Sequence, residues 1–211
     1  MHRALLPLAL LATPALAEEG PRTWRGNEVP NYTVERELAP GLEIRAYPST
    51  IMAAVRMERE AGQRGDASFQ RLAGYIFGSN SDNMKIAMTS PVISKPARMM
   101  QYVSAEEIAA EGTDGEWTRA FVLPSEYEMS DLPTPDDESI RVFEAAPYRA
   151  ATVAFLGAGT SSQFEEARNI LAETLEAEGI AYVPVPEYAS YDAPWVPAEQ
   201  KRHEVHYRLE D

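Results

Sequence analysis

"QRLAGYIFGSNSDNMKIAMTSPV", Gln70 to Val92, reads as a helix that stops sharply and runs on into a strand. With Phe69 included, Leu72, Ala73, Ile76 and Phe77 follow at i+3, i+4, i+7 and i+8, the spacing of one apolar helix face. Asp66 can cap the helix and Gly78 suits a left-handed stop, so a helix is predicted over 66–77 and a strand over 85–94. Gly74 stands inside that helix, where a glycine costs about 1 kcal/mol relative to alanine. Turned over, the helix presents Ala67, Gln70, Arg71, Gly74, Tyr75 and Gly78 on the other side. That face is low enough for a flat molecule to approach the backbone, with Arg71 able to pair a carboxylate and Tyr75 offering a ring with a polar tip. Equally, Gly74 could serve only to let another part of the chain pack closely.

On either side the chain follows a repeated plan. Short strand-like runs at 32–38, 42–47 and 50–58 precede the helix, with turn chemistry at Ala39-Pro40-Gly41 and Pro48-Ser49. In the second half, strands at 117–123, 139–145 and 148–157 precede a helix stripe of Phe164, Ala167, Leu171 and Leu175. Ser162 and Glu165 have capping-box spacing there, and Gly179 ends the helix. Strands at 181–186 and 204–209 close the chain around an aromatic loop, "YASYDAPWVPAEQ", Tyr188 to Gln200. The expected class is α+β: duplicated strand–strand–helix–strand units forming a distorted antiparallel β-barrel or sheet with two flanking helices.

Residues 1–17 read as a secretory signal peptide, with a positive start at Arg3, an apolar run and Ala15-Leu16-Ala17 before Glu18. Residues 18–30 are expected as a flexible lead-in. Residues 31–211 are expected as one domain of two pseudo-symmetric halves, about 31–110 and 111–211. The predicted location is therefore the periplasm or the exterior. A formal net charge of −14 argues against nucleic acid or an anionic membrane surface as partner, and no later segment is long and apolar enough for insertion into a membrane. The chain has no cysteine, so disulfides, thiolate chemistry and Cys-based metal sites are excluded.

Catalytic constellations are sparse. Strand periodicity puts His203 with Val205, Tyr207 and Leu209, and His206 with Glu204 and Arg208. Neither histidine has metal-ligand spacing, and they read as one edge or pocket-rim histidine and one surface histidine. "GAGTSSQF" lacks the lysine of a phosphate loop, and no nucleophile motif occurs. No catalytic or metal-binding residue is named, and the chain is read as a binding protein and not an enzyme. The tyrosines, prolines and Trp195 of the late loop could wall an apolar cleft or fold on themselves.

Taken in order, "FQRLAGYIFGSN", "KIAMTSPV", "FVLPSEY" with "LPTPDD", and "YDAPWVPAEQKRHEV" resemble segments of the SOUL haem-binding protein family. The resemblance runs from about Tyr32 to Leu209. It implies a distorted β-barrel of two halves and a largely apolar cleft for haem or a related tetrapyrrole between the first helix and the 188–197 loop. Carried onto this chain, the cofactor-binding positions are Gln70, Arg71, Gly74, Tyr75, Tyr191, Pro194, Trp195 and Lys201. Two departures follow: Tyr75 stands where a lysine is expected, and no segment matches the axial histidine of some members. Arg71, Lys85 and Lys201 are the nearest cations for the propionates, and haem is expected with weak axial ligation or none. Two further expectations are a binder of other flat apolar or cationic small molecules, as in effector-binding domains of related architecture, and a cell-envelope module that docks a protein through the aromatic loop.

Overall fold

The computed structural model describes residues 21–57, 67–96 and 117–210. Asp66, Glu58 at the end of the strand expected over 50–58, and the signal peptide expected over 1–17 lie outside them. Within the lead-in expected to be flexible, Thr23–Trp24 (β1) and Asn27–Glu28 (β2) form a hairpin. It is pinned to the body: the Trp24 indole donates to Asp192 at 3.0 Å, Arg25 pairs with Asp192 at 2.7 Å, and Ser90 N–H donates to the Glu28 carbonyl at 2.8 Å.

The strands that follow are Thr33–Ala39 (β3), Leu42–Tyr47 (β4), Thr50–Arg56 (β5), Val92–Pro96 (β6), Trp117–Val122 (β7), Arg141–Ala145 (β8), Tyr148–Leu156 (β9), Glu187–Ser190 (β10) and Arg202–Arg208 (β11). They form one curled antiparallel sheet in the order β3-β4-β9-β11-β10-β6-β7-β5-β8. The helices are Ser68–Ile76 (α1), over β5 and β7, and Ser161–Glu178 (α2), over β9 and β11. The predicted repeat is present, with one more strand in each unit: β4, β5, α1, β6, β7, then β8, β9, α2, β10, β11. Exchanging the two units reverses the sheet order onto itself, leaving β3 as an added edge. By sheet position β7 belongs to the first unit, so the units divide between Val122 and Arg141. The first strand of each unit crosses over, β4 pairing with β9 and β8 with β5.

Several boundaries shift from expectation for local reasons. The segment 85–91 makes no ladder, because the Asn80 side chain holds Met84 through both its N–H and its carbonyl, and Ile86 N–H donates to Ile76 O at 2.8 Å. Regular pairing begins only at Val92, after the cis Ser90–Pro91 peptide. The expected strand at 181–186 gives way to β10, since Pro184 and Pro186 cannot donate to a ladder; only Tyr182 bridges, to Leu209. The capping box of α2 sits two residues earlier than expected, with Gln163 N–H donating to Thr160 Oγ1 and Gln163 accepting from Thr160 N–H. Gly179 ends that helix at φ 66°.

Both helices lie on one face of the sheet. Strand alternation sends Ala53, Val55 and Phe121 to α1, and Val153, Phe155 and Val205 to α2. The opposite, inner face differs between units. The first unit lines it with apolar side chains, among them Met52, Ala54, Ile93, Ala120 and Val122. The second buries Thr152, Glu187, Glu204 and His206 there, beside Glu43 and Arg45 of the crossed-over β4.

Candidate ligand-binding site

α1 settles the position of four expected site residues. Its buried residues are Ser68, Leu72, Tyr75 and Ile76, so the core stripe is rotated from the expected one. Tyr75 is 0 % exposed, and its hydroxyl donates to Pro133 O at 3.1 Å. It belongs to the core beneath α1 and does not offer its ring to a ligand, because the carbonyl satisfies the one polar atom that burial would otherwise penalise. Phe69 and Phe77, expected in the core, are 38 % and 63 % exposed. With half-buried Ala73 they fall in one row at i, i+4 and i+8, and Phe69 keeps an edge-to-face contact with Phe121 at 5.5 Å. Gln70 is exposed beside that row. Arg71 is committed to Asp137, at 2.7 and 3.0 Å, and to Ser139. The Ser139 and Arg71 hydrogen bonds together hold the Asp137 carboxyl down at about 2.

Gly74 is a separate case. A methyl group built there would meet only Ser79, at 3.6 Å from Oγ and 3.8 Å from Cβ, which is ordinary van der Waals contact. The fold therefore does not demand glycine at this helix position for close packing.

The late loop splits into parts with different surroundings. Tyr188, expected in the loop, is on β10 and stacks on Trp117 at 5.7 Å. Tyr191 is buried and donates to Glu204 at 2.7 Å. Pro194 is exposed, and the Lys201 ammonium donates to its carbonyl at 3.1 Å. Trp195 is 85 % exposed. The helix and the loop are both tied to the Met84–Ser90 segment, through Ile86 N–H to Ile76 O and Ser90 Oγ to Tyr191 O at 3.0 Å. Four residue steps separate those anchors, at most about 14 Å of chain. The α1 end and the loop start are thus neighbours across the methionine-bearing segment, on which Lys85 is exposed.

Sequence reasoning did not anticipate a concavity on the inner face. On the inner face lies a cavity of about 640 Å³, within the usual range for small-molecule sites. Of the expected site residues only Tyr191 lines it. Behind the Tyr191 and His206 that line it lies an ionic cluster centred on Glu204. That carboxylate accepts from Arg45 at 3.2 Å, Arg202 at 2.6 Å and Tyr191 at 2.7 Å, and lies 2.8 Å from His206 Nε2. Burial alone would raise Glu204; Arg45 and Arg202 outweigh it and hold the group well below its ordinary value. Arg45 also pairs with Glu43 at 2.6 Å. A neighbouring buried cluster sets Glu187 against Arg208 at 3.0 Å and Lys95 at 3.8 Å.

The histidines depart from expectation in opposite ways. His206, read as a surface residue, is buried at the cavity wall, because the inner face of β11 is enclosed by the curl of the sheet. His203 is buried on the α2 side between Phe155 and Phe164, 3.1 Å from Ser190 Oγ, and burial pulls its pKa down. Among the described residues no group of three or more His, Cys, Asp or Glu could hold a metal ion, and no helix is long and apolar enough to cross a membrane.

A family model described as "SOUL heme-binding protein" matches residues 27–208. Mouse "Heme-binding protein 2" is 26% identical over 173 residues, covering 80% of this chain and 80% of its own. Among solved structures, the EcmrR C-terminal domain superposes with a TM-score of 0.50 at 12% identity, over 81% of this chain and 97% of its own. A hydrolase from Listeria innocua does so with a TM-score of 0.52 at 10% identity, over 80% and 91%. At such identities these two share the fold and nothing finer.

Proposed function

The chain belongs to the SOUL heme-binding protein family, and from that premise we propose that it binds haem or a related tetrapyrrole as an exported carrier or buffer, without catalysis of its own. The observation that carries the reading is the exposed pair Phe69 and Phe77, flanking half-buried Ala73, beside Gly74, where a side chain would meet only Ser79, with Trp195 standing out from the late loop. Exposed aromatics grouped in this way mark interaction surfaces. A planar macrocycle laid on that row would withdraw apolar area from water, each 100 Å² contributing about 2.5 kcal/mol before association costs.

The available cations fit such a ligand better here than on the inner face. Lys85 is exposed on the connecting segment and Lys201 braces the loop, so both can reach toward propionates at the edge of the ring. Arg71, already held by Asp137, contributes less than expected. Both described histidines are enclosed elsewhere, so ring contact and not axial donation from His203 or His206 holds the ligand in this reading. Bound haem would supply an iron centre; these residues supply the shelf, the clamp and the counter-charge. Export rests on the N-terminal stretch and fits a carrier that meets its ligand outside the cytoplasm.

The test is a hemin titration followed by absorbance of the Soret band. Gly74→Trp, which fills the low point, and Trp195→Ala, which removes the indole, are each expected to weaken binding about tenfold or more, the equivalent of about 1.4 kcal/mol. Titrations unchanged in both variants would overturn the placement. Intact mass of the protein recovered from the periplasm tests cleavage after Ala17.

A further inference from the structure

The inner cavity is chemically unlike the α1 face, and we infer that it is a second binding site, for a lipophilic organic cation. This inference does not rest on the tetrapyrrole reading. The cavity lies on the side of the sheet away from both helices, where the two crossed-over connections, Tyr47 to Thr50 and Ala145 to Tyr148, bring the units together. One wall is aliphatic, formed by Met52, Ile93 and Val122 of the first unit, with Ile51 and Leu123 at its edge. Tyr47 and Tyr148, stacked on each other with centroids 4.8 Å apart and planes 13° from parallel, also line the cavity.

Charge selects among the molecules that could fill that space. Glu28, Glu128 and Glu144 line the cavity, and among the described residues no lysine or arginine does. The cations behind the wall have carboxylate partners of their own. Arg45 and Arg202 share Glu204, with Glu43 also on Arg45, and Lys95 and Arg208 share Glu187. His206 at the wall lies against Glu204. The rim glutamates hold fixed positions: Glu28 accepts from Ser125 N–H at 2.9 Å, Glu144 accepts from Ser49, and Glu128 takes part in a capping box with Asp131.

A dianionic macrocycle therefore meets three carboxylates on the lining itself, with the arginines set behind it. A positively charged aromatic molecule gains from each carboxylate and buries its apolar body against the aliphatic wall. Met129, 42 % exposed at the rim, adds an adaptable apolar contact.

Two dyes on one xanthene skeleton separate charge from shape: cationic rhodamine 6G and anionic fluorescein, each titrated by fluorescence anisotropy at pH 7.5 into the signal-free protein. Rhodamine 6G is expected to bind and fluorescein not. Ser125→Trp, on the exposed rim, should obstruct the cavity without disturbing the core and weaken rhodamine 6G about tenfold or more. Glu128→Gln with Glu144→Gln should weaken it about three- to tenfold, as loss of partly screened charge predicts. Gly74→Trp and Trp195→Ala should leave it unchanged, and Ser125→Trp should leave hemin binding unchanged, so the two sites can fail independently. No rhodamine 6G binding, equal binding of both dyes, or indifference to Ser125→Trp would overturn the inference.

Discussion

Replacing Glu204 by glutamine keeps its size and removes the charge on which the floor of the inner face is built. The carboxylate is wholly buried at the centre of β11 and is approached by two guanidiniums, a tyrosine hydroxyl and an imidazole. Arg45 would retain Glu43, but Arg202, 9 % exposed, would lose the carboxylate 2.6 Å away. The new amide would also turn a donor toward groups that are themselves donors. Breaking a buried ion pair from one side costs about 3–5 kcal/mol, a large part of the 5–15 kcal/mol that stabilises a typical domain. With a urea dependence of about 2 kcal/mol per molar, the midpoint of unfolding should fall by about 2 M. Arg202→Met tests the cause: alone it should destabilise, but in the Glu204→Gln background it should cost less or restore stability, because it removes the stranded charge. A loss under about 1 kcal/mol for Glu204→Gln, or additivity of the two substitutions within about 0.5 kcal/mol, would refute the account.

Acid should unfold the protein through the same inner face. Burial alone would raise Glu187, but Lys95 and Arg208 bring it down to about 2 from 4.5, and Glu204 is depressed in the same sense, so their stabilisation is complete above pH 4.5 and lost as pH falls toward 2. For Glu187 this amounts to roughly 3 kcal/mol, measurable as urea midpoints across that range. Gly74→Ala should raise stability by about 0.5–1 kcal/mol, since Ser79 leaves room for the methyl group; a lower melting temperature would show that the glycine is required for packing. Gly159→Ala should cost about 1–3 kcal/mol, because φ is +67° and the methyl carbon would lie 2.6 Å from His203 Cε1; an unchanged urea midpoint would refute this. Asp192→Ala should release the hairpin at 23–28, read as faster amide exchange there than in β9, because it removes the acceptor of Trp24 and of Arg202 N–H and the partner of Arg25.

Strand and helix content was legible where pattern and packing agree. The α2 stripe of Ala167, Leu171 and Leu175 is buried as periodicity predicts, because its other faces are almost wholly polar. α1 is different: Phe69, Leu72, Ala73, Tyr75, Ile76 and Phe77 spread apolar character round most of the helix, so composition alone cannot choose the inward face. The sheet chooses it, with Ala53, Val55 and Phe121 receiving Leu72, Tyr75 and Ile76, and Pro133 O receiving the Tyr75 hydroxyl. Exposing Phe77 and burying a tyrosine is a tertiary outcome. In β11, alternation placed His206 with Glu204 and Arg208 correctly, yet polarity misled about exposure. A row of charges usually faces water, and here it faces partners supplied by β4 and β10, more than a dozen residues away or in the other unit.

Those distant partners follow from the way the duplication closes. β4 leaves its own unit at Pro48 and pairs from Leu42↔Val153 to Tyr47↔Tyr148, while β8 pairs with β5 from Thr50↔Ala145 to Ala54↔Arg141. Neither unit can complete its sheet alone, so the two fold as one body, and the polar residues on β4 reach the other unit's inner face. Arg45 is such a residue, carried by the first unit's first strand to the Glu204 carboxylate on the second unit's last. The exchange thus sets the apolar inner face of one unit beside a buried ionic cluster built from both. A chain cut between Val122 and Arg141 would separate β5 from β8 and β4 from β9, and with them both sides of the cavity. The inner site can therefore exist only in the intact fold, whereas the α1 shelf is carried by the first unit and gains only its loop from the second.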